Sequence, residues 1–222
     1  TEVSSQHGTD LRAVKDALTD PEYVNIFFST NKLTPEQMNI LYNVADANIL
    51  ISSNEGWGLS LTEAMMAGTM IIPNVTGGMQ DQARFEDENG DWINFTPDFP
   101  SNHRGTYKKH GEWAKPVFPS NICLQGSPLT PYIFDDKVQP EDAAEAIKFV
   151  YDLGKEERDR RGLSGRDWVL SEESNMSSKN MSKKIMQAME KGFDNFSPRP
   201  QYEVIHVEDE PSKYITHKLT GY

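Results

Sequence analysis

Cysteine is almost absent from this chain of 222 residues. Cys123 stands alone, so no disulfide forms within the chain and nothing requires an oxidising compartment. No apolar run approaches the ~20 residues that a membrane-spanning helix needs. The basic and apolar segments of a signal peptide are not seen at the start of the sequence. These absences predict a cytoplasmic protein without a membrane span.

Positive charge is scarce as well, because 22 Lys and Arg residues stand against 34 Asp and Glu residues, a formal net charge of −12. Such a composition does not suit a broad surface for the phosphates of duplex nucleic acid, although it leaves room for a local basic pocket. The five histidines lack the close spacing of zinc ligands. The adjacent acids Asp135 and Asp136 are interpreted as a solvated turn rather than a metal pair. No metal site is predicted.

What the sequence does contain is an alternation of strands and helices. Apolar runs at 24–28, 48–52 and 69–73 predict strands. Apolar residues at helical spacing predict helices over 34–45 and from about Ser60 onward. Strands joined by helices through short connections are typical of a parallel sheet. The sequence therefore predicts an α/β fold, a Rossmann-like doubly wound parallel sheet.

The domain organisation follows from changes in composition. Residues 1–196 are predicted to form one domain with an insertion at about 97–137. In that segment prolines recur and the apolar residues follow neither helical nor strand periodicity. Residues 197–222 are predicted to form an extended C-terminal tail. The other predicted elements are a helix at 10–18, a capping box at Thr34 and Gln37, a strand at 92–95, a helix from 140 that turns Ala143, Ala146, Ile147 and Val150 inward, and helices at 155–170 and 180–193.

One segment carries the chemistry: Ser53-Asn54-Glu55-Gly56-Trp57-Gly58-Leu59-Ser60-Leu61-Thr62-Glu63-Ala64. It leaves the carboxyl end of a predicted strand, the edge where open α/β sheets bind ligands. Its two glycines leave the backbone bare, and the amides and dipole of the helix that follows suit a diphosphate. Carboxylates at both ends accept hydrogen bonds from sugar hydroxyls. The competing interpretation is structural: Ser60 and Glu63 also have the spacing of a capping box, in which Glu63 satisfies the Ser60 amide.

The stretch from Glu55 to Gly68 resembles the E-x7-E motif of the retaining GT-B glycosyltransferases of family 4. Residues 41–47 resemble the end of that family's preceding helix. Residues 69–80 resemble its next strand and glycine-pair loop, and residues 139–153 resemble the helix that closes its sheet. The resemblance implies that this chain is the C-terminal, donor-binding half of a GT-B fold.

The resemblance also implies a role for each residue of the segment. Glu63 binds the ribose hydroxyls of the donor. Glu55 is the catalytic residue, and its carboxylate contacts the transferred sugar. Residues 30–33 follow a predicted strand, at a position where members of the family commonly bind the nucleobase. The favoured interpretation of these residues is nevertheless a plain loop. The loop residues that bind the donor sugar are Glu55, Gly56, Trp57 and Gly58, and those nearest the diphosphate are Leu59 and Ser60.

The implied reaction is transfer of a sugar, with retention, from a nucleotide-diphosphate sugar of UDP or GDP type, without a metal or other cofactor. The family's acceptor-binding N-terminal domain and its phosphate-neutralising Arg/Lys pair have no counterpart in these 222 residues. We therefore expect the chain to be part of a longer protein and inactive alone.

A basic and aromatic patch lies within the predicted insertion. One interpretation extends it over the cleft toward the acceptor or the donor phosphate. The favoured interpretation docks it on its own domain. Insertions of this kind resemble those of viral and phage glycosyltransferases. This resemblance implies that the protein acts in the cytoplasm of a host cell and that modified DNA is one candidate acceptor. The patch comprises His103, Arg104, Tyr107, Lys108, Lys109, His110 and Trp113.

Two other functions stay open. The first is a non-catalytic nucleotide-sugar-binding or partner module on the same fold. The second is a sugar-nucleotide epimerase or a phosphorylase, although the acid and histidine pattern of an epimerase is not found and a phosphorylase would need a cofactor lysine. Intact Glu55 and Glu63 favour the glycosyltransferase.

Overall fold

The structure is a computed structural model that describes residues 3–4, 9–20, 25–93, 96, 98–126, 129 and 132–198. The chain divides into two compact units, Thr1–Asn180 and Met181–Tyr222. The helices are α1 Leu11–Leu18, α2 Pro35–Val44, α3 Leu59–Ala67, α4 Met79–Ala83, α5 Pro140–Asp152, α6 Gly154–Leu170 and α7 Ser178–Asp194. The strands are β1 Ala47–Leu50, β2 Met70–Pro73, β3 Asn121–Gln125 and β4 Ile133–Lys137.

A parallel sheet lies at the centre of the first unit. Strands β1 and β2 pair in register from Ala47↔Met70 to Leu50↔Pro73. Residues 114–117 run parallel along the other edge of β2, where the Lys115 amide donates to the Ile71 carbonyl at 2.9 Å. β2 is therefore the central strand, and its four residues are all buried, as an apolar run in a parallel sheet predicts.

Helices cover both faces of this sheet, because side chains of a strand point alternately to opposite sides. Ile71 belongs to a core cluster with residues of α3 and α6, such as Met65 and Val169. Its neighbours Met70 and Ile72 belong to a second cluster with residues of α5. One βαβ connection, β1–α3–β2, joins parallel strands. The predicted fold class, a Rossmann-like doubly wound α/β domain, is confirmed.

The starts of α1 and α2 follow the capping rules for helices. Thr34 and Gln37 form the predicted capping box, with Pro35 at the first helical position of α2. Asp10 caps α1 by accepting from the amides of residues 12 and 13. The helices predicted at 10–18, 34–45, 155–170 and 180–193 are confirmed with small shifts at their ends.

Some predicted elements are wrong. Residues 25–28 form no strand, because no described strand pairs with them and Phe27 is exposed; Val24 lies outside the described residues. Of the strand predicted at 92–95, Trp92 makes a single bridge to Glu86, and residues 94 and 95 lie outside the described part. Ile147, predicted to face inward on α5, is 52% exposed, while Ala143, Ala146 and Val150 are buried.

The segment predicted as an insertion contains regular structure. Strands β3 and β4 form an antiparallel hairpin with register Asn121↔Lys137 to Gln125↔Ile133. Residues 114–117 extend the parallel sheet. The strands of the hairpin are short and partly exposed, so they leave little periodicity in the sequence.

The second unit is described only over residues 181–198, most of which belong to α7. Its apolar side chains at four-residue spacing, Met181, Ile185, Met189 and Phe193, are exposed within the described residues. The predicted tail lies outside the described residues from 199 onward. Among the described residues, none of the helices has both the length and the apolar character to span a membrane.

Candidate functional site

The candidate site lies at the carboxyl edge of β1 and β2. Because the two strands are parallel, the loop after β1 and the loop after β2 leave the same edge of the sheet. The Asn74 side-chain amide donates to the Ser52 carbonyl at 2.9 Å, and the Gly78 amide donates to the Glu55 carbonyl at 3.3 Å. The segment with two acids therefore lies where open α/β sheets bind ligands.

A pair of glycines allows the two loops to approach closely. A Cβ atom on Gly77 would lie 2.0 Å from the Glu55 carbonyl oxygen, and one on Gly78 would lie 2.2 Å from the Gly56 carbonyl oxygen. Gly77 also has a φ of 52°, in the left-handed region that favours glycine. The glycine pair therefore fixes the backbone position of residues 55 and 56.

Helix α3 begins at Leu59 without a side-chain cap. Its N-cap residue, Gly58, has a left-handed backbone with φ of 73°, and no side chain bonds to the helix start. No acidic residue occupies the first turn. The amides and the positive dipole end of this helix are thus left for a ligand, and an anion is the ligand that they favour.

Gln82, which is fully buried, stabilises the start of α3 through hydrogen bonds. Its side-chain amide donates to the Gly58 carbonyl at 3.0 Å and to the Thr62 hydroxyl at 2.6 Å. The same hydroxyl accepts from the indole of Trp57 at 3.0 Å. Gln82 and Thr62 therefore fix both the turn at Gly58 and the half-buried ring of Trp57.

The two acids of the segment differ in surroundings. Glu63 is exposed, and its Oε2 accepts a hydrogen bond of 2.8 Å from the hydroxyl of buried Tyr42. Burial, and then the nearby Glu63 carboxylate, raise the pKa of Tyr42 well above its ordinary value, so the phenol stays protonated and donates. Glu55 is half-buried. The capping-box interpretation of Ser60 and Glu63 is wrong, because α3 starts at Leu59 and Glu63 bonds to Tyr42 instead.

The remaining predicted donor contacts lie around the same turn. Gly56 and Leu59 are exposed, Ser60 and Trp57 are half-buried, and Gly58 is buried. The structure thus brings the predicted residues together at one edge, while the role given to each stays a prediction. Residues 30–33 form a loop without regular structure.

Sequence reasoning missed the residue that ties the hairpin to this edge, Asp136. It was interpreted as part of a solvated turn, but it lies in β4 and is 6% exposed. Its carboxylate accepts from the Thr76 hydroxyl at 2.6 Å and from the Asn102 side chain at 3.0 Å. Its amide donates to the Ser53 carbonyl at 2.9 Å. Only tertiary structure brings these partners together, so no local pattern signals them.

The basic and aromatic patch docks on its own domain, as the favoured interpretation expected. His103 and Trp113 are buried, and Trp113 stacks on Trp168 with ring centroids 5.0 Å apart. The cations Arg104, Lys108 and Lys109 are exposed. In the part of the chain that the structure describes, no group of three or more His, Cys, Asp or Glu side chains is arranged to hold a metal ion.

Buried His103 makes folding sensitive to acid. Burial lowers its pKa from the ordinary 6.5 to about 4, and the charge of Lys108 acts in the same direction. The unfolded chain takes up a proton below pH 6.5 while the folded chain does not, so stability falls as pH falls toward 4. The contribution reaches about 3 kcal/mol. We expect the stability of a His103→Phe chain, measured by urea unfolding between about pH 4 and 7, to lose this dependence on pH. The same pH dependence in the variant and the wild type would contradict the role given to His103.

Asp81 on α4 acts in the opposite direction. Burial raises the pKa of its carboxyl from 3.8 to about 7. The unfolded chain ionises first, so stability falls as pH rises from about 4 to 7, by up to about 4 kcal/mol. We expect an Asp81→Asn chain to be more stable than the wild type at neutral pH and equal to it below about pH 4. Equal urea midpoints of the variant and the wild type at neutral pH would contradict the raised pKa of Asp81.

Comparison with known families gives a match over the part of the chain that holds this site. Residues 17–97 match the model of the family described as Glycosyl transferases group 1. The match contains α2, α3, α4, both parallel strands, and the loop with Glu55 and Glu63. It supports a general role in glycosyl transfer and a domain of GT-B type. Comparison of the chain with curated proteins gives no match.

Proposed function

We propose that this chain binds a nucleotide-diphosphate sugar, of UDP or GDP type, and forms the donor site of a retaining, metal-independent glycosyltransferase. The observation that carries the proposal is the uncapped start of α3 between two carboxylates, at the carboxyl edge of a parallel sheet. A donor of this class has the same order of groups: a ribose, a diphosphate and a sugar.

The diphosphate is proposed to lie against the first turn of α3. The amides of Leu59 and Ser60 are the first two of the helix, and no side chain competes for them. A helix N-terminus carries about half a positive charge, and it favours an anion by roughly 0.3–2 kcal/mol. In the reaction, this end of the helix would stabilise the charge that develops on the leaving diphosphate.

Glu63 is proposed to bind the ribose hydroxyls. The carboxylate is exposed, and the Tyr42 hydroxyl orients it through a bond to Oε2. A charged acceptor oriented in advance loses less freedom when a hydroxyl binds. Glu55, at the other end of the loop, is proposed to contact the transferred sugar together with Gly56, Trp57 and Gly58.

The acceptor-binding domain and the cations that neutralise the diphosphate are proposed to come from other parts of a longer protein. This chain would then bind the donor weakly and transfer no sugar alone. Assaying turnover on the 222-residue chain and on a longer one tests this point, and turnover by the shorter chain would contradict it.

Replacing Glu63 is the test of the donor site. Hydrogen bonds to a charged group contribute about 1.5–3 kcal/mol, so Glu63→Ala is expected to weaken nucleotide binding about 10–150-fold. Isothermal titration with UDP and GDP measures the change. The control is Glu145→Ala, which removes an exposed acid on α5. Equal affinities in both variants would leave the chain without this ribose site and would favour a non-catalytic module.

A further inference from the structure

A cleft of about 740 Å³ opens between residues 100–106 and the β3–β4 hairpin. This volume lies within the range of about 300–1,000 Å³ that is usual for small-molecule sites. The residues of its lining that matter here are Ser101, Asn102, His103, Arg104, Phe134 and Asp136.

The cleft shares a wall with the proposed donor site. The Gly77 amide donates to the Ser101 carbonyl at 2.7 Å, and the Gln80 side chain donates to the same carbonyl at 2.7 Å. On the hairpin side, the Asp136 amide bonds to the Ser53 carbonyl at 2.9 Å. Both walls are thus fixed to the loops that carry the donor residues.

The lining combines polar groups with an exposed aromatic ring. Phe134, which is 69% exposed, lines the same cleft as Ser101 and Asn102. A pyranose has the same two characters, because its hydroxyls bond to polar groups and its C–H faces pack on an apolar ring. A polynucleotide needs several cations along its track, and Arg104 is the one cation among the described residues that line this cleft.

Buried His103 adds an unmatched polar group to the wall. It is 3% exposed, and neither ring nitrogen has a hydrogen-bond partner among the described residues. Buried polar groups almost always have a partner, so such a group requires an explanation. Because burial keeps this imidazole neutral at physiological pH, it offers one donor and one acceptor, the combination that a hydroxyl matches.

The turn at the mouth of the cleft is strained. Arg104 has a φ of 48° and Gly105 a φ of 77°, and the Thr106 amide closes the turn by donating to the His103 carbonyl at 2.9 Å. Left-handed backbone is unfavourable for an arginine, and strain of this kind clusters at functional sites. The strained turn and the buried ring of His103 therefore lie next to each other in the wall of the cleft.

We propose that this cleft is an acceptor subsite that binds a glycoside, with Phe134 against the sugar face and Asn102 and Arg104 at its hydroxyls. The role as acceptor subsite rests on the proposed function, because the shared wall brings an acceptor hydroxyl to the edge where the donor would bind. Binding of a glycoside in the cleft does not depend on it.

The test is an amide NMR titration of the full chain with methyl glucoside, methyl mannoside and methyl galactoside. Saturable shifts at residues 101–106 and 133–136 with one of them are expected. They should persist in Glu63→Ala, and Phe134→Ala should weaken the affinity about 10-fold. Phe27→Ala, which removes another exposed ring, is the matched control and should change nothing.

Arg104→Gly should also weaken binding without lowering the melting temperature, because glycine relieves the strained turn.

Three results would overturn the proposal. One is the absence of saturable shifts with all three glycosides. Another is shifts that Glu63→Ala removes and Phe134→Ala does not, since they would report the donor site. The third is binding of a duplex containing hydroxymethylated cytosine to the same amides without any glycoside binding. Glycoside shifts in a chain that binds no nucleotide would support the cleft as a sugar site and contradict the proposed donor function.

Discussion

A Gly77→Ala chain is expected to lose about 3 kcal/mol of unfolding free energy or more and to lose its nucleotide binding. The added Cβ would lie 2.0 Å from the Glu55 carbonyl oxygen, a contact that real structures do not show. The backbone φ of 52° adds about 1 kcal/mol of strain for a residue other than glycine. Overpacking of a fixed contact costs about 1–3 kcal/mol, and the loops that carry Gly77 and Glu55 can relieve it only by moving apart.

The matched control is Gly56→Ala, in the loop on the other side of the contact. A Cβ on Gly56 meets nothing within 4 Å, and its φ is not positive. Its unfolding free energy should stay within about 0.5 kcal/mol of the wild type. Equal stabilities of the two variants in urea would mean that the loops do not approach as described.

An Asp136→Ala chain is expected to lose about 3 kcal/mol, because two buried donors lose their charged acceptor together. The Thr76 hydroxyl and the Asn102 side chain both bond to this carboxylate. The substitution also separates the hairpin from residues 100–103, so we expect loss of glycoside binding in the cleft as well.

Its neighbour provides the comparison. Asp135, whose side chain is 17% exposed, pairs at 3.3 Å with Lys137, whose side chain is 40% exposed. A pair of this exposure contributes about 0–1 kcal/mol, so Asp135→Ala should change stability little. Urea midpoints that fall equally for both substitutions would contradict the different roles given to buried Asp136 and partly exposed Asp135.

Local patterns were enough to predict the centre of the fold. The apolar runs at 48–52 and 69–73 became β1 and β2, and the capping box at Thr34 formed as written. These elements are set by periodicity and capping over a few neighbouring residues. The position of the two-acid segment at the sheet edge followed from the order strand, helix, strand.

The residues that hold the site in place were beyond such patterns. Gln82 bonds to Gly58 and Asp136 bonds to Thr76, across 24 and 60 positions of sequence. Asp136 was interpreted as part of a solvated turn because acidic side chains are mostly exposed, and nothing local singled out Gln82. Only the packing of α4 and the hairpin buries these two side chains. The hairpin was missed for a similar reason, since its strands are short, half of their residues are exposed, and they carry little apolar alternation.

The central claim is that a nucleotide sugar binds at the start of α3. Amide NMR of this chain with UDP, GDP and ADP and their common sugar conjugates tests it most directly, because it reports both the preferred base and the residues affected. We expect saturable shifts at residues 55–60 and 77–78 with one base, and an affinity about 10–150-fold lower in Glu63→Ala. Shifts confined to other parts of the chain, or none with any nucleotide at millimolar concentration, would contradict the claim.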